Sequence, residues 1–314
     1  MRFKMSLFLT IVSATYLGAQ TTDSTQAATP PPPDWIKGGL SSVTFSQVSL
    51  TNWASGGQNS SSVNSFLNLF ADKKKNRMKW QNTIDLGYGL MKQGDGRVLK
   101  SDDRLSFNTK YGYQAKKGND HWFINGFLDF RTQFAPGFSQ DDPDSVISRF
   151  LAPAYITVGT GIEYSPNKFV SFAYTPVTGK ITIVNDAVLV GVNGAYGVEP
   201  GKSSRQELGS YFRFSYKQEA FKNVNVDMKL ELFTNYQKET FGNIDVNWQN
   251  SIVMRVNKYI TTNLFTQILY DDDINTERVD NTTGDVLTAG PKTQFKSVFG
   301  VGVAYAFGDS RPKE

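Results

Sequence analysis

The side chains best suited to chemistry in this chain are carboxylates that come in runs. Asp141, Asp142 and Asp144 lie in one polar stretch, and Asp271, Asp272 and Asp273 in another. Hard oxygen ligands of this kind suit calcium, or divalent ions that bridge lipopolysaccharide. Neither run has the spacing of a known calcium loop. Asp271, Asp272 and Asp273 therefore stand as weak calcium candidates, solvated loops are the expectation, and no cofactor is assigned. A nucleophile would have one imidazole to draw on, because His121 is the only histidine and there is no cysteine. That composition removes disulfides, thiolate metal sites and most zinc and Ser-His-Asp arrangements. His121 opens "HWFINGFLDF" beside the polar turn "KKGND", where a solvated turn residue is expected rather than a base. The stretch "GVEPGKS" at residues 197–203 imitates a phosphate loop but is one residue short of the required spacing. No catalytic residue is expected, and the chain reads as a non-enzyme.

The remaining charges alternate with apolar residues. In "MKWQNTIDLGYGL", Met78, Trp80, Ile84, Leu86, Tyr88 and Leu90 share one face, against Lys79, Gln81, Thr83, Asp85 and two glycines. "RLSFNTKYGYQA" sets Leu105, Phe107, Tyr111 and Tyr113 against Arg104, Asn108, Lys110 and Gln114. "VNVDMKLELFTNY" does the same with Asp227, Lys229 and Glu231 on its polar face. No helical period competes over these stretches. The strands are also far longer than the roughly 5 or 6 residues of a globular strand.

Counted this way, the chain has about twelve strands, starting near residues 38, 61, 76, 102, 121, 151, 168, 204, 222, 243, 259 and 293. Short connections alternate with a second set at residues 51–60, 92–101, 135–150, 176–203, 237–242 and 271–292, five of these six being long. Alternation alone fits a soluble sandwich as well, but a sandwich has no reason to sort its loops by end. Sorted loops and an even strand count predict an all-β fold: a transmembrane antiparallel up-and-down β-barrel with long extracellular loops and short periplasmic turns.

Two levels of aromatics fit this reading. Trp80, Tyr113, Trp122, Tyr164, Tyr216 and Tyr305 fall near the lower rim, and Tyr88, Tyr174, Tyr236, Trp248 and Tyr270 near the upper. The last strand, "SVFGVGVAYAF", then turns Phe299, Val301, Val303, Tyr305 and Phe307 to lipid, with small residues facing the lumen. Gly302, Tyr305 and Phe307 resemble a terminal signal for the barrel-assembly machinery. Val301 departs from that pattern, as do the seven residues that follow Phe307.

The lumen-facing set mixes signs: Arg77, Lys79, Asp85, Arg104, Lys110, Asp129, Arg131, Glu207, Arg213, Asp227, Lys229, Glu231, Asp245 and Arg255. These side chains either pair and fill the interior or line a water-filled path. Inner glycines, among them Gly87, Gly159 and Gly302, would leave room for such a path. The expected function is a narrow channel or transport pathway for small polar solutes. The alternative is a non-conducting barrel that acts as an envelope-structural or surface-binding protein through its outer loops.

The flanks complete the plan. Arg2 and Lys4, an apolar run and Gly18-Ala19 read as a signal peptide over residues 1–19, which directs export to a Gram-negative outer membrane. Residues 20–34 form a Pro-rich periplasmic leader, 35–307 the barrel and 308–314 a polar tail. The net charge of +4 falls to +2 once Arg2 and Lys4 are removed, so no nucleic-acid partner is expected. The expected partners are outer-membrane lipid, lipopolysaccharide and the assembly machinery, with the barrel a monomer.

Several stretches resemble an uncharacterised family of Bacteroidota outer-membrane β-barrel proteins, a domain of unknown function (3078). They include "WIKGG", "FSQVSLTNWASGGQNS", "WQNTIDLGYG", "FRTQFAPGF", "GAYGV", "LFTNY", "NIDVNW" and "YDDDIN". The resemblance spans nearly everything from Trp35 to Phe307. It implies location and fold, and carries no functional residues.

Overall fold

The computed structural model describes residues 34–50, 58–138, 145–191, 194–237, 242–272, 275–279 and 286–309. The expected signal peptide, most of the leader, Asp141, Asp142, Asp144, Asp273 and the end of the tail lie outside the described residues.

The wall begins with β1 (Trp35–Val48), β2 (Ser60–Lys75), β3 (Met78–Gln93), β4 (Leu99–Gln114) and β5 (Trp122–Thr132). A small hairpin follows, β6 (Gly137–Phe138) with β7 (Val146–Ser148). The wall resumes with β8 (Ala154–Tyr164), β9 (Val170–Ile183), β10 (Ser204–Phe221), β11 (Val224–Asn235), β12 (Asp245–Arg255) and β13 (Ile260–Tyr270). Helix α1 (Ala187–Val190) sits between β9 and β10. A second hairpin, β14 (Asn275–Val279) with β15 (Val286–Pro291), leads into β16 (Gln294–Gly308). Twelve strands close into an antiparallel barrel in the order β1, β16, β13, β12, β11, β10, β9, β8, β5, β4, β3, β2. Each expected strand start falls within three residues of an observed one.

The outer wall is apolar and uncovered. Val301, Val303 and Tyr305 are 51%, 55% and 68% exposed, which in water would be a large unfavourable surface and in a bilayer is the lipid face. Among the described residues no helix is long and apolar enough to cross a membrane. The closed barrel with its apolar outer face is what spans the bilayer, and closure satisfies its backbone groups.

All five short connections contain an asparagine, and each uses it. Asn76 and Asn223 take positive φ, 54° and 66°, at the two tightest turns. The side-chain oxygens of Asn119, Asn167 and Asn257 accept the backbone N–H groups of His121, Phe169 and Tyr259 at 3.0, 2.8 and 2.8 Å.

Three expectations change. The loop predicted from Pro176 begins only after Ile183, because β9 runs on through the proline. The pairing of β9 with both neighbours shifts register beside it, so the missing N–H breaks no ladder bond. Tyr174 consequently lies in the first half of β9, nearer the turn end than the upper rim. The inner glycines are also not empty space. A methyl on Gly302 would overlap the Val43 carbonyl oxygen, and one on Gly159 would stand 2.6 Å from Thr178 Oγ1 and 3.0 Å from the Phe127 ring. These glycines permit close approach of neighbouring chain. Gly87 keeps ordinary clearance, with Asp102 Oδ2 nearest at 3.5 Å.

At the long-loop end, the β5–β8 and β9–β10 connections fold together as a cap. Ala152, Val184, Val190 and Val198 form its dry centre, with Leu189 and Tyr196 packed against them. Asp186 caps α1, accepting from Val188 N at 2.9 Å and Leu189 N at 3.2 Å, and it meets Arg149 Nη1 at 2.6 Å. Partial burial works against the anion, but the Leu189 and Val188 N–H groups and the Arg149 guanidinium outweigh it. The carboxyl is held below its ordinary range.

Two outcomes are expected. Gly302→Ala should lower stability by roughly 1–3 kcal/mol, read as the urea midpoint in vesicles. Gly112→Ala, whose nearest neighbour is Phe123 Cβ at 3.7 Å, should leave that midpoint unchanged. The depressed Asp186 carboxyl stabilises the cap above its unfolded value, and this contribution is lost as pH falls through the folded one. Pepsin nicking within residues 184–203 should therefore rise below about pH 4, and Asp186→Asn should abolish that pH dependence.

Candidate functional site in the barrel lumen

Strand alternation sends one residue in two inward, so the lumen is built from the polar faces of the twelve wall strands. Its central feature is Glu231 on β11, buried at 4% exposure. Arg131 Nη2 reaches both of its oxygens, at 3.0 and 2.9 Å. Arg213 Nη2 lies 3.0 Å away, and Lys229 Nζ 3.6 Å. Tyr211 Oη donates at 2.7 Å and Asn247 Nδ2 at 2.8 Å. Asp129, also buried, stands 2.5 Å from Arg131 Nε and accepts from Asn108 at 3.1 Å. Three cations thus face two carboxylates, each carboxylate held by hydrogen bonds as well as charge.

Arg131 is on β5 and Glu231 on β11, with β8, β9 and β10 between them around the wall. Their contact is a chord across one side of the lumen. It passes over small inner residues, including Gly159, Thr175 and Thr178. The two threonines are fully buried, and their hydroxyls donate to the Tyr211 and Thr175 carbonyls. Phe127 fills the remaining gap, its ring 5.1 Å from Tyr211 and 5.3 Å from the Arg213 guanidinium.

Two further clusters flank this one. Nearer the turn end, Lys110 Nζ grips both Glu163 oxygens at 2.9 and 2.8 Å. Nearer the long-loop end, Lys180 meets Asp245 at 2.6 Å, Asp271 at 3.6 Å and Glu207 at 3.7 Å, above the Phe233 ring. The β4–β12 side is thereby filled along its length, beneath the cap.

The opposite side differs. Its inner faces carry mostly amides and hydroxyls, half-buried, bonded in short local pairs: Asn263 to Thr44 at 3.1 Å, Gln267 to Asn247 at 2.9 Å, Asn68 to Asp85 at 2.6 Å. Lys296 on β16 pairs with Asp102 on β4 at 2.8 Å. Arg104 on β4 lies 5.3 Å from the Phe265 ring on β13. Four strands separate those two around the nearer wall, so this contact also crosses the lumen. Among the described residues, Arg104 has no carboxylate within ion-pairing distance.

Of the residues singled out in the sequence, Asp129, Arg131, Arg213, Lys229 and Glu231 meet in one cluster. Lys110 joins Glu163, Asp85 takes Asn68, and Lys79 faces the lumen near Lys110. Asp227 instead pairs with Lys217 at 3.0 Å at the solvated turn end, and Arg255 is exposed there. All eleven interface candidates point outward, Tyr174 at a lower level than expected. Asp271 and Asp272 are engaged elsewhere, with Lys180 and with Tyr270 and Asn243. Among the described residues no group of three metal-ligating side chains forms. His121 Nδ1 donates to the Ser165 carbonyl at 3.0 Å at the turn end. The sequence reading missed Glu163, Lys180 and Tyr211. Parity along "GTGIEY" could have found Glu163, whereas Lys180 lay beyond the assumed end of β9.

Glu231→Ala would leave Arg131, Arg213 and Lys229 buried against one another. The expected cost is about 3–5 kcal/mol in a urea titration of vesicle-inserted protein. Glu199→Ala, in an exposed loop, should leave the midpoint of the same titration unchanged.

Among solved structures, an outer-membrane channel from Pseudomonas putida F1 aligns at 11% identity and TM-score 0.40, over 88% of this chain and 96% of that one. The translocator domain of the autotransporter NalP from Neisseria meningitidis aligns at 10% and 0.30, over 87% and 88%. The Pseudomonas putida toluene transporter TodX aligns at 9% and 0.29, over 90% and 91%. Likenesses this distant describe a barrel and nothing of what passes through it. No match was found among curated proteins. Residues 45–138 match the family model described as "Protein of unknown function (DUF3078)". That stretch runs from within β1 through β5 into β6.

Proposed function

We propose that this protein is an outer-membrane barrel providing a narrow pathway for small polar solutes, along the side of the lumen formed by β12, β13, β16, β1, β2 and β3. The observation that carries this reading is the segregation of charge. Buried ion clusters occupy the β4–β12 side, while on the other the half-buried neutral groups of Asn64, Asn68, Gln249, Asn263 and Gln267 separate scattered charges, Asp85 and the Lys296–Asp102 pair among them. Amides of this kind exchange hydrogen bonds with a passing solute without the desolvation cost of a fixed charge. The clusters then act as a buttress that holds the wall's shape.

Arg104 is the constriction in this reading, since it reaches Phe265 across the lane and no carboxylate pins it. Folded protein in a planar bilayer should give small, reproducible conductance steps, and Arg104→Ala should enlarge them. Silence from both, with insertion shown by heat-modifiable migration on a gel, would exclude a pathway. The weight would then move to a non-conducting barrel acting through its outer loops.

A further inference from the structure

The turn end of the β1–β4 wall carries an outward-facing patch that the lumen does not use. Trp35 and Trp80 stand with ring centroids 5.4 Å apart on the outer face. Lys73 Nζ lies 5.5 Å from the Trp35 ring and Lys37 Nζ 6.0 Å. Beside them the Arg77 guanidinium lies 4.5 Å from the Tyr113 ring. Arg77 Nη2 donates to the Gln114 and Ala115 carbonyls, at 2.6 and 3.3 Å, but its Nε is buried with no hydrogen-bond partner. The carboxylate of Asp34 is 3.5 Å from both Lys73 and Lys75, and Asp309 accepts the Lys37 backbone N–H. Even so, four cations outnumber these two carboxylates.

The rest of the rim is also basic, but among the described residues only here do two indole rings meet beside the cations. On the β10–β11 hairpin, Lys217 is paired with Asp227 at 3.0 Å. Above the patch Thr109 accepts the Trp80 indole N–H at 2.9 Å and donates to Asn82 at 2.8 Å, and around them Ile84 and Tyr111 are exposed. Indole and phenol rings settle at the level of lipid headgroups, and an ammonium held over a ring keeps its N–H groups free for a phosphate. Positive charge, aromatic rings and an apolar wall thus follow one another in the order of a phospholipid's own phosphate, glycerol and acyl chains.

We propose that this patch, centred on Lys37, Lys73, Trp35 and Trp80, is a binding site for the phosphate headgroup of an anionic phospholipid, with Arg77 and Tyr113 at its edge. The lipid's acyl chains lie along the outer wall of β2–β4. The site depends on the barrel spanning a membrane and is independent of whether the lumen conducts.

The test uses the full chain, released from vesicles holding phosphatidylglycerol and phosphatidylcholine with the same acyl chains, and native mass spectrometry of the lipid it retains. The wild type should keep phosphatidylglycerol in preference. Lys37→Gln with Lys73→Gln should cut that retention on the order of tenfold, with phosphatidylcholine unchanged. Lys217→Gln with Lys222→Gln, on another part of the rim, should leave it intact. Excess inorganic phosphate should not displace the lipid. Equal retention of both lipids by the wild type overturns the proposal, and this comparison needs no variant to fold. Unchanged retention in the first variant, an equal loss in the second, or displacement by inorganic phosphate also overturns it.

Discussion

The pairing of β1 with β16 governs this structure because hydrocarbon offers no water to an unpaired peptide group. An open sheet of these strands would carry two bare edges into the bilayer. The seam from Gly38 opposite Gly308 to Phe45 opposite Val301 removes both. It also fixes register: a slip of one residue would turn Phe299, Val301 and Val303 into the lumen and expose small residues to lipid. Gly300 and Gly302 belong to that constraint, since the β1 backbone at Val43 and Thr44 lies where a side chain on Gly302 would be, and the Thr44 methyl and Phe45 carbonyl where one on Gly300 would be.

Once the wall is closed, the interior must accommodate charge. The solution is asymmetric. Small residues on β8 and β9 let Arg131 and Glu231 meet over a chord, and Tyr211, Asn247 and Asn108 satisfy what the cations leave. Buried ion pairs are worth having only when hydrogen-bonded in this way, because desolvation otherwise exceeds the Coulombic gain. The cap of Ala152, Val184, Val190 and Val198 is joined to the same side of the barrel, where Thr132 of β5 bonds Pro153 and Leu151. The facing side has neither ion stack nor described cap, and its amides keep partial contact with water.

The two ends of the barrel are built on different principles. At the turn end each connection between strands is held by a single asparagine, either through left-handed backbone or through its side-chain oxygen, and is too short to fold over the mouth. Basic residues then sit outside, beside indole and phenol rings, at the level where headgroups begin. At the long-loop end the connections are long enough to carry a helix, two hairpins and a hydrophobic centre of their own.

The period of two, the number of wall strands and the outward face of the interface aromatics were legible in the chain. Each is a local consequence of lipid on one side of a strand and lumen on the other. The sorting of loops by length fails at the β3–β4 connection, which shrinks to residues 94–98 and is shorter than the β4–β5 turn at 115–121. Local rules failed where a neighbour intervened. Pro176 looked like a strand end, but shifted register on both sides removes the need for its N–H. Gly159 looked like vacant lumen, but Thr178 and Phe127 occupy the place. Arg131 and Glu231 each read as a lumen residue from their own strands. That they bond to each other, one hundred positions apart, was decided by closure and register. Alternation records only the side of the wall a residue faces, and the position of the opposite wall exists only once the barrel is shut.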